Sequence, residues 1–170
     1  MKIVISGTSR GIGKKIAIHL SKKNHVIGLS RTKVNNKKYK SYICDINNYN
    51  KIQSTFRLIG KFDVLINCAG ISYYSNDKVK NFEKIIKTNL TAPFYTSSVA
   101  LNYIKNSTNP SIINISSING YMAFPNNPAY VTSKGGLISL TKALANDFGK
   151  FKIRVNSISP GYIKEGMTLK

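Results

Sequence analysis

The sequence predicts an α/β fold, a doubly wound parallel sheet with helices on both faces. Three observations carry this expectation. Six short apolar runs alternate with four longer helical patterns along 170 residues. The runs are rich in β-branched residues and mostly lack polar–apolar alternation, as strands do when both faces are covered. Strand–helix alternation from end to end favours parallel pairing through right-handed crossovers. No repeat, linker or low-complexity tract divides the chain, and its length suits one domain with one sizeable core.

The elements follow in order. KIVIS (2–6) reads as the first strand and runs directly into SGTSRGIG (6–13), where a helical pattern over 11–23 begins. HVIGLS (25–30) and SYIC (41–44) read as strands two and three, and 48–60 as the second helix. FDVLIN (62–67) is the fourth strand. A long helical pattern over 79–105 contains Pro93, so a kink or break is expected near residues 89–93. SIINIS (111–116), a helix over 128–148 and KIRVNSI (152–158) complete the alternation. Ser-Pro-Gly at 159–161 then signals a loop.

The charge is unusual. Twenty-six Lys and Arg face 6 Asp and Glu, a net charge of +20. Such an excess raises nucleic acid, an anionic membrane surface, and acidic proteins or phosphates as partners. The lysines are scattered, however, and accompanied by abundant Asn, Ile and Tyr. A compositional bias accounts for them better than a nucleic-acid footprint, which needs a gathered basic patch and interleaved aromatics. No apolar run approaches membrane-spanning length, and the N-terminal apolar stretch is too short for a signal peptide. Cys44 and Cys68 lack metal-ligand spacing and read as reduced structural thiols of a cytoplasmic protein.

The first strand–helix junction points to a phosphate. Gly7, Gly11 and Gly13 permit a tight turn and close approach of backbone to ligand, while the helix start presents N–H groups and a favourable dipole to an anion. The second strand ends in Ser30-Arg31, where many dinucleotide folds carry an acid that accepts from the adenine ribose. Arginine there, with Arg10 in the glycine turn, suits a ribose 2′-phosphate instead.

A second constellation carries chemistry. In AYVTSKGG (129–136), Tyr130 and Lys134 are four residues apart on one helix face. Bringing a tyrosine from about 10 to about 7 takes about 4 kcal/mol. An ammonium about 5 Å away supplies roughly 3 kcal/mol at an effective dielectric near 20. The pair is therefore a sensible acid–base device for carbonyl–alcohol interconversion. Tyr74 and Lys78 repeat the spacing, but in a loop pattern with Lys61, not a hydroxyl, thirteen residues upstream. Thirteen residues before Tyr130 stands Ser117, at the carboxyl end of the fifth strand, where ligands of parallel sheets bind. Ser116 should face the opposite way.

These motifs together resemble the short-chain dehydrogenase/reductase family, whose fingerprint is T-G-x3-G-x-G; Ser6 keeps the hydroxyl of the usual Thr. Motif order and spacing are most similar to the 3-oxoacyl-(acyl-carrier-protein) reductase type. The resemblance spans nearly the whole chain and implies a Rossmann-type sheet of order 3-2-1-4-5-6. It implies cofactor contacts from Gly7, Ser9, Arg10, Gly11, Ile12 and Gly13 in the turn, from Arg31 at the 2′-phosphate, and from Asp45 of CDI at the adenine edge. Asn67, Ala69 and Gly70 of NCAG, Tyr130 and Lys134, and Pro160, Gly161 and Ile163 complete that set. The implied catalytic group is Asn89, Ser117, Tyr130 and Lys134. Ser117 would bind the substrate oxygen and Tyr130 would move its proton. Lys134 would lower the Tyr pKa and hold the nicotinamide ribose, with Asn89 holding a water behind it.

The implied cofactor is NADP(H) in preference to NAD(H). The implied reaction is hydride transfer to a ketone or from a secondary alcohol, with a 3-oxoacyl thioester on an acyl-carrier protein as one substrate form. Family members continue past Pro160-Gly161 into a covering loop, a helix and a seventh strand. The expectation is thus a domain over 1–170 without lid or last strand, with Glu165 where a Thr commonly bonds the carboxamide. Helices 82–106 and 129–148 are expected to pair in a homodimer or homotetramer. A nucleotide-binding regulatory homologue without turnover stays open beside the reductase; NADPH binding without oxidation would distinguish it.

Overall fold

The computed structural model describes residues 1–72, 78–123 and 125–164. Six parallel strands form one sheet in the order β3-β2-β1-β4-β5-β6. They are β1 (Lys2–Ser6), β2 (His25–Ser30), β3 (Lys40–Ile43), β4 (Val64–Asn67), β5 (Ser111–Ile115) and β6 (Arg154–Ile158). The helices are α1 (Gly11–Leu20), α2 (Tyr49–Ile59), α3 (Lys78–Ile86), α4 (Ala92–Ile104) and α5 (Pro128–Gly149). All pairings are parallel, with Ile3 of β1 beside Val26 of β2 and Val64 of β4. The order reverses at β1, so the crevice beyond the carboxyl ends of β1 and β4 is the topological switch point.

The lack of polar–apolar alternation in the strand sequences has a direct cause. In β1, Val4 faces a core closed by α2, α4 and α5, while Ile3 and Ile5 face a second core against α1. Leu65 and Val64 of β4 divide the same way, as do Ile112 and Ile115 of β5. The central strands β1, β4 and β5 are apolar on both sides because each side meets a helix layer, whereas the edge strands β3 and β6 keep exposed polar positions.

The long helical pattern, expected to kink or break near residues 89–93, is interrupted there by a π-turn, Lys87–Thr91, between α3 and α4. The Ala92 N–H donates to the Lys87 carbonyl, five residues back. Pro93 has no N–H to return to Asn89, and its ring would crowd the Asn89 carbonyl in a regular helix. One widened turn accommodates both constraints without ending the helix, as π-bulges do.

Candidate active site

A cavity of about 580 Å³ opens along the carboxyl ends of the strands, from β3 to β6. Its size falls within the usual range for small-molecule and cofactor sites. The glycine turn forms its floor. Gly7 takes φ +81° and Gly11 φ +56°, conformations that disfavour any side chain. A Cβ on Gly13 would stand 2.3 Å from the Gly7 carbonyl oxygen, so the third glycine lets the helix start seat against the turn. Gly7 N–H donates to the Leu29 carbonyl at 2.8 Å, which anchors the turn to β2. Arg10 occupies the N-cap of α1 in extended geometry and makes no side-chain cap. The first N–H groups of α1 are thereby left for an anion.

Ser6 does more than keep a hydroxyl. Its Oγ accepts from the Cys68 and Ala69 N–H groups at 3.1 and 3.2 Å, tying the end of β1 to the NCAG loop. Arg31 and Asp45 line the β2–β3 end of the cavity, and Asp45 accepts from the Asn47 N–H at 3.0 Å.

At the other end, β5 and α5 bring Ser117, Tyr130 and Lys134 together. The Ser117 hydroxyl lies near enough to the Tyr130 phenol to favour its ionised form. The Lys134 amine lies 5.6 Å from the centre of the Tyr130 ring and donates to the Ile115 carbonyl at 2.8 Å. The Ser116 hydroxyl turns away, as expected, and donates to the Lys134 carbonyl at 2.9 Å.

Two predicted residues lie outside the cavity lining. Asn67 is buried, and its amide donates to Ser97 Oγ and Asn114 Oδ1 while accepting from Thr96 Oγ1. It joins β4, β5 and α4 beneath the cavity floor. Asn89 sits in the π-turn, fully buried. Its side chain accepts from Ile71 N–H and donates to the Ile71 carbonyl, both at 2.9 Å, and donates to Ser133 Oγ at 3.1 Å. The Asn89 amide is thus committed to backbone and to α5. Tyr74 and Glu165 lie outside the described residues.

Sequence reasoning missed Ser133. Its hydroxyl donates to the Tyr130 carbonyl at 2.8 Å and accepts from Asn89, linking the π-turn to the helix turn that carries Tyr130. A serine three residues after Tyr130 can back-bond to that carbonyl, and this was the available signal.

The electrostatics differ from the expectation. Burial pushes the Tyr130 phenol up, and the nearby Ser117 hydroxyl only partly offsets it. Burial also lowers Lys134 from 10.5 to about 8, partly countered by Cys68, while it pushes the Cys68 thiol up to about 11. The simple expectation that Lys134 draws Tyr130 toward 7 therefore fails for the protein groups alone. Both groups are desolvated, and desolvation disfavours the charged form of each. Both cysteines are free thiols, and no metal-ligating cluster occurs among the described residues. No helix among those residues is long and apolar enough to cross a membrane.

The comparisons agree with this geometry. A family profile described as short chain dehydrogenase matches residues 1–170. A 3-oxoacyl-[acyl-carrier-protein] reductase of Buchnera aphidicola is 36% identical, over 97% of this chain and 74% of its own length. The structure of ElxO with NADP bound superposes with a TM-score of 0.90 at 29% identity, over 99% of this chain and 76% of that one. A 4-hydroxyisoleucine dehydrogenase complexed with NADH gives a TM-score of 0.86 at 39% identity, over 97% and 77%. With a Rossmann-type sheet, a glycine turn at the switch point and Ser117, Tyr130 and Lys134 convergent in one cavity, this chain belongs to the short-chain dehydrogenase family of oxidoreductases.

Proposed function

We propose that the cavity binds NADP(H), in preference to NAD(H), and that the protein interconverts a ketone and a secondary alcohol, with 3-oxoacyl esters and thioesters as the substrate form. The observation that carries this reading is the convergence of Ser117, Tyr130 and Lys134 at one end of a cavity whose other end holds a side-chain-free glycine turn. The residues fit a dinucleotide. A Cβ at Gly7 or Gly13 would meet backbone at 2.7 and 2.3 Å, which keeps the turn bare for a pyrophosphate. Arg10 and Arg31 supply two cations for a 2′-phosphate. Relatives carry either NADP or NADH, so the two arginines decide the preference here.

A bound reduced nicotinamide supplies the hydride. The remaining work falls to the chain. Ser117 donates to the substrate oxygen and holds it beside Tyr130. Tyr130, protonated across the neutral range because burial raises it, gives its proton to that oxygen. Lys134 keeps a positive charge beneath the ring up to about pH 8 and returns Tyr130 to its protonated state. Asn89 and Ser133 fix Ile71 and the Tyr130 turn. A homo-oligomer is part of this reading, with Phe82 and Phe94 exposed on α3 and α4.

The test is a fluorescence titration with NADPH and NADH, followed by NADPH oxidation in the presence of ethyl acetoacetate. Binding that favours NADPH, with turnover, is expected. Tight NADPH binding without turnover on any ketone would favour a regulatory nucleotide-binding role. No binding of either nucleotide would end the proposal.

A further inference from the structure

The substrate end of the cavity has a charge pattern that narrows what it accepts. Among the described lining residues only Arg10, Arg31, Asp45 and Lys134 are charged. The first three lie over β1, β2 and β3, and the Lys134 amine is buried on the Ile115 carbonyl. The lining contributed by the loops after β4 and β5 and by the segments before α5 and after β6 includes Ile118, Asn119, Asn127, Ser72 and Tyr162, none of them an acidic or basic side chain. Among the described residues, a substrate carboxylate would meet no cation there other than the buried Lys134 amine.

Asn119 is the polar group nearest the chemistry. Its backbone N–H donates to Ser117 Oγ at 3.2 Å, and its side-chain Oδ1 receives a long contact from the Ser117 hydroxyl at 3.5 Å. Its amide nitrogen has no hydrogen-bond partner among the described residues. By contrast the Asn127 amide is already committed to Ser72 Oγ at 3.1 Å. The turn that carries Asn119 is also held in place. A Cβ on Gly120 would stand 2.6 Å from the Ile138 side chain and 2.9 Å from the Lys134 carbonyl oxygen, so the turn lies directly on α5. A donor on a fixed turn beside the reacting hydroxyl is the arrangement that orients a bound ligand.

We propose that Asn119 determines substrate specificity, its amide nitrogen donating to a second, uncharged acceptor placed within two or three bonds of the reacting carbonyl. Esters, thioesters and amides of 3-oxo acids carry such an acceptor; simple ketones do not, and free keto acids carry a charge this wall does not neutralise. The inference rests on the reductase reading and adds a specificity-determining residue to it.

The experiment compares ethyl acetoacetate, 2-hexanone and acetoacetate anion as substrates for wild type and Asn119→Ala. Wild type should prefer the ester to both others. In Asn119→Ala, kcat/KM for the ester should fall roughly three- to tenfold, the scale of one lost hydrogen bond. The value for 2-hexanone should fall clearly less, since that ketone makes no such bond and loses only the long Ser117 contact. Equal losses on both substrates would show that Asn119 only holds Ser117, and an unchanged ratio would also overturn the proposal. A binding measurement decides the point without turnover. Ethyl 3-hydroxybutyrate added to the NADPH complex, followed by nicotinamide fluorescence, should bind more weakly to Asn119→Ala, while 2-hexanol is unaffected. If no ketone is reduced yet this difference appears, the reductase reading falls and the Asn119 contact stands. If reduction proceeds and the difference is absent, the reverse holds.

Discussion

The two ends of the cavity are built differently. Over β1 and β2 the wall is backbone: Gly7, Gly11 and Gly13 offer N–H groups and space, and the side chains nearby, Arg10 and Arg31, are exposed. Over β5 and α5 the wall is side chain. Ser117 and Lys134 are buried, Tyr130 is half-buried, and a second layer of Asn89, Ser133 and Ser116 fixes them through hydrogen bonds to backbone. The first end should fail when a Cβ is added, and the second when a proton donor or its partner is lost. A backbone site suits a phosphate, which asks only for N–H groups and dipole. A proton-transfer site needs particular groups at particular protonation states.

The largest expected effect lies at the side-chain end. Lys134→Met should lower ketone reduction by about 10²–10⁴-fold, the usual range for an acid–base group. It should also stabilise the fold at neutral pH. The folded pKa of about 8 lies below the ordinary 10.5, a penalty of about 3 kcal/mol on the buried charge. Loss of the charged bond to the Ile115 carbonyl returns about 2 kcal/mol of that. The remaining 1 kcal/mol or so would raise Tm by about 2–4 °C. The sign with pH follows. Between about 8 and 10.5 the unfolded chain holds a proton that the folded chain has released, so wild-type stability rises through this window. The advantage of Lys134→Met should therefore close between those values. Reduction by wild type should fall as pH rises through about 8. Thermal melts and pH–rate profiles read both, and a Tm lowered by Lys134→Met at pH 7 would contradict the balance.

At the backbone end, Gly13→Ala should weaken NADPH binding about 100-fold, which corresponds to about 2.7 kcal/mol. The added Cβ cannot stand 2.3 Å from the Gly7 oxygen, so the turn must open. An NADPH titration with unchanged affinity would mean that the phosphates are held elsewhere. The smallest effect should come from the exposed arginines. Arg31→Ala should weaken NADPH roughly tenfold and leave NADH within about twofold, because a solvent-exposed cation contributes about 1 kcal/mol to a charge-assisted contact. Equal loss of both nucleotides would remove Arg31 from the 2′-phosphate.

What could be read from the sequence divides along the same line. Spacing within one element was legible: G-x3-G-x-G at a strand–helix junction, and Tyr130 four residues from Lys134 on one helix. The strand order and the Ser117 position were also legible, through the motif set as a whole. Contacts made across the chain were not. Asn89 could be singled out and Pro93 marks an interruption beside it, but the bonds of Asn89 to Ile71 and Ser133 are made across the chain and no local pattern encodes them. Asn67 was read as a cofactor contact that holds the strand end, but the partners through which it holds that end, Ser97, Asn114 and Thr96, come from across the chain. The upward push of burial on Tyr130 was not legible because Coulomb attraction can be estimated from spacing, whereas desolvation depends on what the whole fold packs around the ring.

The division between binding and chemistry is tested most directly by one pair of measurements on Tyr130→Phe. NADPH affinity by fluorescence should stay within about threefold of wild type, since the variant loses at most one hydrogen bond. NADPH oxidation with ethyl acetoacetate on the same preparation should fall by about 10²–10⁴-fold. Turnover that survives in Tyr130→Phe, or affinity lost together with turnover, would contradict a cavity that binds at one end and transfers a proton at the other.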